Sequence, residues 1–363
     1  MLIFLLILTY LSLPNQAELY KPNSNDIKFY LFCYLKKACQ EVCPKIEHNF
    51  NRSNRRLIIV DSPKYDVMAV NGLYRPRSAL ARALYEKQRN DRLLEEFDQT
   101  EWYRVDKSKL GEELQKKFVQ LHPDEETKEF LSASIDKSSW VWTQIWYLLA
   151  KAVLKHFWSI TDINGWLGRG SMFVVSGAQA QKLFDAARVR PGGALVDVGA
   201  GDGEVSRRFA HLYTSKLATE ISCSMRKALS TKGYTVLDAE EWWRGQFECV
   251  CMLNLLDRCS EPRGMLRRAR SALSPQGVLL LALVLPYKPY VEATADHKPT
   301  ERLPITGTTF EEQLSSFVTF MRDIGFELAA WSRAPYLCEG DFAQAYYWLD
   351  DSVYVFKPIE AAT

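Results

Sequence analysis

Leu195-Val196-Asp197-Val198-Gly199-Ala200-Gly201-Asp202-Gly203-Glu204 decides the fold of this 363-residue chain. Apolar residues flank one acid, and three glycines follow at every second position. The pattern predicts a buried strand, a tight turn and a helix opening at Glu204. Glycines at such a turn accept positive φ and carry no side chain, so a ligand can lie directly on the backbone. A dinucleotide site would space its glycines as Gly-x-Gly-x-x-Gly and bring a pyrophosphate to the helix N-terminus. Here the third glycine comes one residue early and Asp197 stands two residues before the first. A ligand without phosphate suits a site so furnished with carboxylates.

Asp-x-Gly-x-Gly-x-Gly is the pattern of class I methyltransferases that use S-adenosylmethionine (SAM), a sulfonium nucleoside with a zwitterionic tail. Lys216-Leu217-Ala218-Thr219-Glu220 supports it as a second strand ending in an acid. Glu220 lies 21 residues after Gly199, near the ~20 expected of a ribose-binding carboxylate. Two carboxylate oxygens can accept from both ribose hydroxyls. Gly199, Gly201 and Gly203 form the cradle. Asp202 either receives the ligand's ammonium or caps the following helix, and Asp197 either touches the ligand or orients the turn.

Further elements alternate as a doubly wound sheet requires. Helices are expected over 222–232, 262–273 and 310–324, with Pro262 suited to a first helical turn. Strands are expected at 234–237, 249–253 and 278–285, the last an uninterrupted apolar run fit for a sheet centre. Ser274-Pro275-Gln276-Gly277 reads as a turn. Strands at 326–331 and 353–356 supply an antiparallel closing hairpin. The expected fold is therefore α/β: a class I, Rossmann-like doubly wound sheet with a helical N-terminal extension.

Composition narrows the function. Net charge is +2 and no basic block is interleaved with aromatics, so a nucleic-acid partner gains no support. The eight cysteines lack paired CxxC spacing, which argues against a zinc site. Cys33, Cys39 and Cys43 can form a disulfide, and the remaining cysteines read as buried thiols. Met1 to Leu13 is apolar but too short to span a bilayer; residues 1–17 read as a signal peptide, with no transmembrane anchor. Asn51-Arg52-Ser53 is a glycosylation sequon for a chain on the secretory route. Residues 18–100 read as an irregular polar extension, 101–185 as a helical cap and 186–358 as the catalytic domain. Within the cap, Trp140 to Trp158 is apolar on most faces, which predicts a helix packed on the catalytic domain rather than a membrane span. Three glycines around Arg169 make either a clamp over the cofactor or a structural turn with Arg169 pairing an acid.

Several blocks together resemble one family. Ile163 to Val174, Leu195 to Val205, Leu253-Asn254-Leu255-Leu256-Asp257-Arg258-Cys259, Leu281 to Glu292, and Pro335-Tyr336-Leu337-Cys338-Glu339-Gly340-Asp341 are similar to the DREV family, the methyltransferase-like protein nine group. The likeness spans about 101–358. It implies a protein-histidine methyltransferase that places a methyl on the pros (Nδ1) nitrogen within His-x-His segments, x being small, in proteins that include metal-handling ones. It also implies residence at endomembranes, here the endoplasmic reticulum, or in mitochondria.

Carried over by position, Glu220 matches the family's ribose-binding acid and Tyr336 a cofactor-contacting tyrosine. Glu240 falls where the family has an asparagine at the adenine; an ionised glutamate only accepts hydrogen bonds, and adenine's amine donates. Lys288 replaces a family histidine in a segment that ends at Tyr290, which is assigned to the substrate side. Tyr336, Glu339 and Asp341 are expected at the substrate rim, where carboxylates suit a partly cationic His-rich segment. Neutral imidazole is already nucleophilic near pH 7, with a pKa of ~6.5, so catalysis is expected to be mostly positioning. Choosing Nδ1 requires the proton held on Nε2 by an acceptor. Asn254 and Asp257, past the fourth strand, are candidates for it, against loop capping or pairing with Arg258.

Overall fold

The computed structural model describes residues 78–359 apart from 293 and 295. The apolar leader, Asn51, Cys33, Cys39 and Cys43 lie outside them. In chain order the helices are α1 (Ala79–Glu96), α2 (Glu112–Lys117), α3 (Glu125–Ser139), α4 (Val141–Leu154), α5 (Ile160–Leu167), α6 (Gly177–Ala186), α7 (Glu204–Ala210), α8 (Cys223–Thr231), α9 (Pro262–Ala272) and α10 (Phe310–Asp323). The strands are β1 (Met172–Phe173), β2 (Ala194–Val198), β3 (Ser215–Thr219), β4 (Thr235–Leu237), β5 (Phe247–Leu253), β6 (Leu273–Val284), β7 (Phe326–Glu339) and β8 (Tyr346–Pro358).

One eight-stranded sheet runs β1-β7-β8-β6-β5-β2-β3-β4. Strands β2 to β6 pair in parallel, while β8 lies antiparallel to both β6 and β7. This is the doubly wound sheet with a closing hairpin that the sequence predicts. Strand order reverses at β2, which has β3 on one side and β5 on the other. The crevice at the carboxyl ends of β2 and β5 is thus the topological switch point where such sheets bind ligands.

Alternation along the strands explains why the centre reads as a continuous apolar run. Leu195, Cys249, Cys251, Val278, Leu280 and Val355 enter the core on one face of the sheet. Their neighbours Val196, Val250, Met252, Leu279, Leu281 and Phe356 enter the core on the other. A strand covered on both faces has no solvent side on which to place polar residues. Each side chain so buried contributes about 1.5–3 kcal/mol of transfer free energy. Helix starts are written locally: Ser176 with Gln179 and Thr309 with Glu312 form reciprocal capping boxes, and Pro262 occupies the first turn of α9.

Four expectations change. Ser274–Gly277 does not end an element; it bulges out of β6, whose register jumps from Phe247↔Leu273 to Cys249↔Val278. Helix α1 falls inside the stretch read as irregular, capped by the Ser78 hydroxyl on the Ala81 amide. Nor does the boundary at 185 divide domains: β1, from the expected cap, joins the main sheet through Met172↔Cys338. Finally, α4 packs on the domain by one side only and leaves Trp140 and Trp142 71% and 83% exposed. Apolar character on most faces sets which residues can be buried, not how many partners arrive to bury them.

Candidate active site

The glycine turn leaves β2 with Gly199, Gly201 and Gly203 all at positive φ (72°, 57° and 77°). Two of them are also closely approached: a Cβ on Gly199 would stand 2.7 Å from Leu255 Cδ1, and one on Gly203 2.7 Å from Leu229 Cδ2, so those side-chain ends would have to shift. Gly201 differs, since nothing lies within 4 Å of its would-be Cβ. That open space above bare backbone is a cradle for a flat ligand edge. The Leu255 contact shows that the loop after β5 touches the turn after β2.

Glu220, one residue past β3, ties the cradle to its neighbours. Its Oε2 accepts from the Gly201 amide at 2.9 Å, and its Oε1 from the amides of Ile221 and Ser222 at 2.8 and 2.9 Å. A carboxylate offers about four acceptor positions, so three are used and one remains on Oε2. The geometry thus has room for one ribose hydroxyl, and a second needs the Gly201 amide to yield. Beside it Ile221 is 83% exposed, an apolar surface that sequence reading passed over and that suits the face of a base. Ser222 caps α8 and also donates to Asp162 Oδ1 of α5. This long-range tie joins the N-terminal helices to the ribose acid's loop, and no local signal announces it.

Asp202 is engaged on both carboxylate oxygens. Its Oδ1 accepts from the Glu204 amide at 3.1 Å and its Oδ2 pairs with Lys232 at 3.1 Å. A ligand ammonium would have to share or displace that lysine. Asp197 is buried and pushed up to about 7, first by desolvation and then by the charges of Glu220 and Asp202 against a lowering bond from Ser206. Its Oδ2 has no protein partner. An orphaned acceptor beneath a bare-backbone cradle, with a spare ribose acceptor alongside, fits the nucleoside and amino-acid ends of SAM. Asp197, Gly201 and Glu220 would hold it, with Gly199 and Gly203 shaping the turn.

Across the crevice, Asn254 and Asp257 follow β5. Asn254 adopts φ 58°, which asparagine tolerates better than most residues. Its Nδ2 donates to Asp351 Oδ2 at 2.8 Å, and its Oδ1 has no partner. Asp351 is wholly buried in β8, with its carboxyl pushed up to about 8 by desolvation. Sequence reading missed it, because the expected strand began at 353, seven residues after the observed start at Tyr346. Asp257 is 4% exposed; burial raises its carboxyl, the pairing with Arg258 Nε at 3.2 Å offsets this in part, and Oδ1 is unpartnered. Its carbonyl accepts from the Tyr290 amide at 2.8 Å, and the Tyr290 ring stacks on His297. Tyr336 on β7 is half-buried, donates to Met172 Sδ, and lies within reach of the charges of Arg258, Asp257 and Asp351. Asn254, Asp257, Tyr290 and Tyr336 therefore share one neighbourhood.

Three further predicted residues have surroundings of their own. Glu339 is not a free rim carboxylate: it is 8% exposed, with Oε1 2.5 Å from Arg169 Nε and Oε2 3.1 Å from Lys137 Nζ. A glycine-flanked arginine inside the fold needs a buried counter-charge, so the acid-pairing reading of Arg169 replaces the clamp. Asp341 is exposed but engaged in a local turn with the Ala343 amide and the Tyr347 hydroxyl. Glu240 is exposed beyond β4, its carbonyl accepting from Trp243 Nε1 at 3.0 Å.

Glu220→Gln tests the cradle. An amide keeps the size but cannot accept three amide bonds and a ribose hydroxyl at once. Losing a charge-assisted bond of ~1.5–3 kcal/mol predicts affinity for S-adenosylhomocysteine about 10- to 100-fold weaker by titration calorimetry, with the thermal midpoint little moved. Unchanged affinity would remove Glu220 from the ribose.

The chain resembles solved methyltransferase structures distantly. A structure described as a DhpI–SAH complex matches at 14% identity, over 64% of this chain and 96% of that one, with a TM-score of 0.34. Magnesium protoporphyrin IX methyltransferase (ChlM) from Synechocystis PCC 6803, with bound SAH, matches at 18% identity, over 49% and 81%, with a TM-score of 0.31. Likeness this low carries no argument about substrate. The model of one family, by contrast, matches residues 102–358, more than half the chain. This protein belongs to the DREV methyltransferase family and uses SAM as its methyl donor.

Proposed function

We propose that this enzyme methylates the pros nitrogen of histidine in alternating-histidine segments, His-x-His with small x, of other proteins, metal-handling proteins among them. One observation carries the reading. Across the crevice from the glycine turn stand two buried, unpartnered acceptor oxygens, Asn254 Oδ1 and Asp257 Oδ1. An imidazole attacking through Nδ1 carries its proton on Nε2, and that N–H needs such an acceptor.

SAM, when bound, supplies an electrophilic methyl on a sulfonium. The protein's own work is placement and proton handling. Glu220 and the open backbone at Gly201 fix the nucleoside. Asp257 Oδ1 accepts from Nε2–H and so leaves the Nδ1 lone pair free to attack. As the new N–C bond forms and the C–S bond breaks, the ring becomes an imidazolium. Asp257 then takes the Nε2 proton. Arg258, bonded to the other oxygen, partly offsets the upward push that burial gives this carboxyl.

Labelled SAM with a His-Ala-His peptide tests the proposal beside a control in which alanine replaces both histidines. Label on the first alone, located on Nδ1 by fragmentation or NMR, is the expected result. Label on Nε2 overturns the pros assignment. Transfer only to other acceptors overturns the histidine reading while leaving the methyltransferase intact.

A further inference from the structure

Asp351 places a carboxyl inside a covered strand. It lies in β8 opposite Val284 of β6 and Ala334 of β7, and it is wholly buried. Both its oxygens accept from uncharged N–H groups: Oδ2 from Asn254 Nδ2 and Oδ1 from the Ser352 amide, each at 2.8 Å. A charge is costly in such a place, and an apolar side chain would fill the strand at no such cost. A carboxylate only accepts, so it selects which end of the Asn254 amide faces it. Nδ2 turns to β8, and Oδ1 is left pointing away, buried and without a partner. The backbone fixes the same residue, which sits at φ 58° with its amide donating to the Ala282 carbonyl at 3.0 Å. A side chain tied at its backbone and at Nδ2 has one free polar position, the oxygen.

We infer that Asp351 is a positioning residue for methyl transfer: it turns the Asn254 oxygen toward the crevice as a second acceptor, with Asp257, for the substrate imidazole's Nε2–H. The assignment rests on the histidine reading above. An oxygen so turned binds the tautomer whose Nδ1 lone pair can attack. With the amide reversed, its NH2 donates to a bare Nε2 and holds the proton on Nδ1, a tautomer that binds but cannot react there. Asp257 handles the proton, and Asp351 acts only through Asn254.

Asp351→Asn tests this because Ser352 dictates how the new amide sits. Its oxygen must take the Ser352 N–H, so its NH2 faces Asn254 and reverses that amide. The assay uses a His-Ala-His peptide on the alkaline side of the value of about 8 to which burial pushes the Asp351 carboxyl. Turnover should fall about 10-fold or more with KM little changed. S-adenosylhomocysteine affinity should stay within about threefold, and the thermal midpoint should not drop. Asn254→Gly, which accepts the positive φ, should also slow turnover, and the double variant should be no slower than Asn254→Gly alone. Losses that multiply overturn the inference, because Asp351 then acts apart from Asn254. Unchanged turnover in Asp351→Asn overturns it as well. So does a parallel loss of cofactor affinity and midpoint, which would make Asp351 a strut between β8 and the loop after β5. If the wild-type chain labels no histidine, the histidine reading fails and this one with it; each of the other failures leaves that reading standing.

Discussion

Asp257→Asn should cut turnover on a His-Ala-His peptide by about 100-fold or more while leaving affinity for S-adenosylhomocysteine within about threefold. The split follows from position. Asp257 stands after β5, on the far side of the crevice from Glu220 and the open backbone at Gly201. An asparagine keeps one acceptor oxygen, so it can still orient Nε2–H. It cannot take the proton once the ring becomes cationic. General-base effects of this kind span ~10²–10⁴ in rate. The pH profile gives a second readout. Burial raises the Asp257 carboxyl, and the substrate imidazole must be neutral to attack. Protonation of either stops the reaction, so the rate falls as pH drops, and the variant should keep only the imidazole's limb. Equal losses in turnover and cofactor affinity would make Asp257 a structural cap. A fall in affinity alone would move it to the cofactor side.

The parts of this site that were legible in sequence are those written within a few residues of one another. The turn at Gly199–Gly203 is legible because positive φ at alternate positions admits few residues but glycine. Glu220 is legible because the crossover from β2 to β3 has a nearly fixed length. Asp202 is ambiguous in sequence because a short acid before a helix serves a cap and a ligand equally well, and its pairing with Lys232 at the end of α8 has no local signal. What stayed hidden is carried by pairing across distance. Asp351 meets Asn254 through the β6–β8 register. Asp162 reaches Ser222 from α5. Glu339 reads as a free acid until β7 brings it to Arg169. Helix α4 failed differently: its composition identified an apolar surface, but whether something covers it depends on tertiary contacts no local pattern encodes.

Arg169 is the second residue whose replacement should be severe, through the fold rather than the chemistry. Its guanidinium meets Glu339 Oε1 at 2.5 Å, donates to the Gly340 carbonyl and covers the Tyr147 ring at 4.5 Å. The pair ties the segment before β1 to the end of β7, where the Glu339 amide also donates to the Ser171 carbonyl at 2.9 Å. Both side chains are buried, 7% and 2% exposed. Arg169→Ala leaves the Glu339 carboxylate with only Lys137, itself half in solvent. Breaking one partner of a buried pair costs ~3–5 kcal/mol, which for a chain of this size lowers the thermal midpoint by about 10 °C. Arg169→Met with Glu339→Gln should recover most of that loss, since the cost lies in an uncompensated charge rather than in missing attraction. Arg169→Lys should fall between, because an ammonium keeps the charge but cannot fork to Glu339 and Gly340 together. A clamp over the cofactor predicts the opposite pattern: weaker S-adenosylhomocysteine binding for Arg169→Ala at an unchanged midpoint, with no rescue by the double variant.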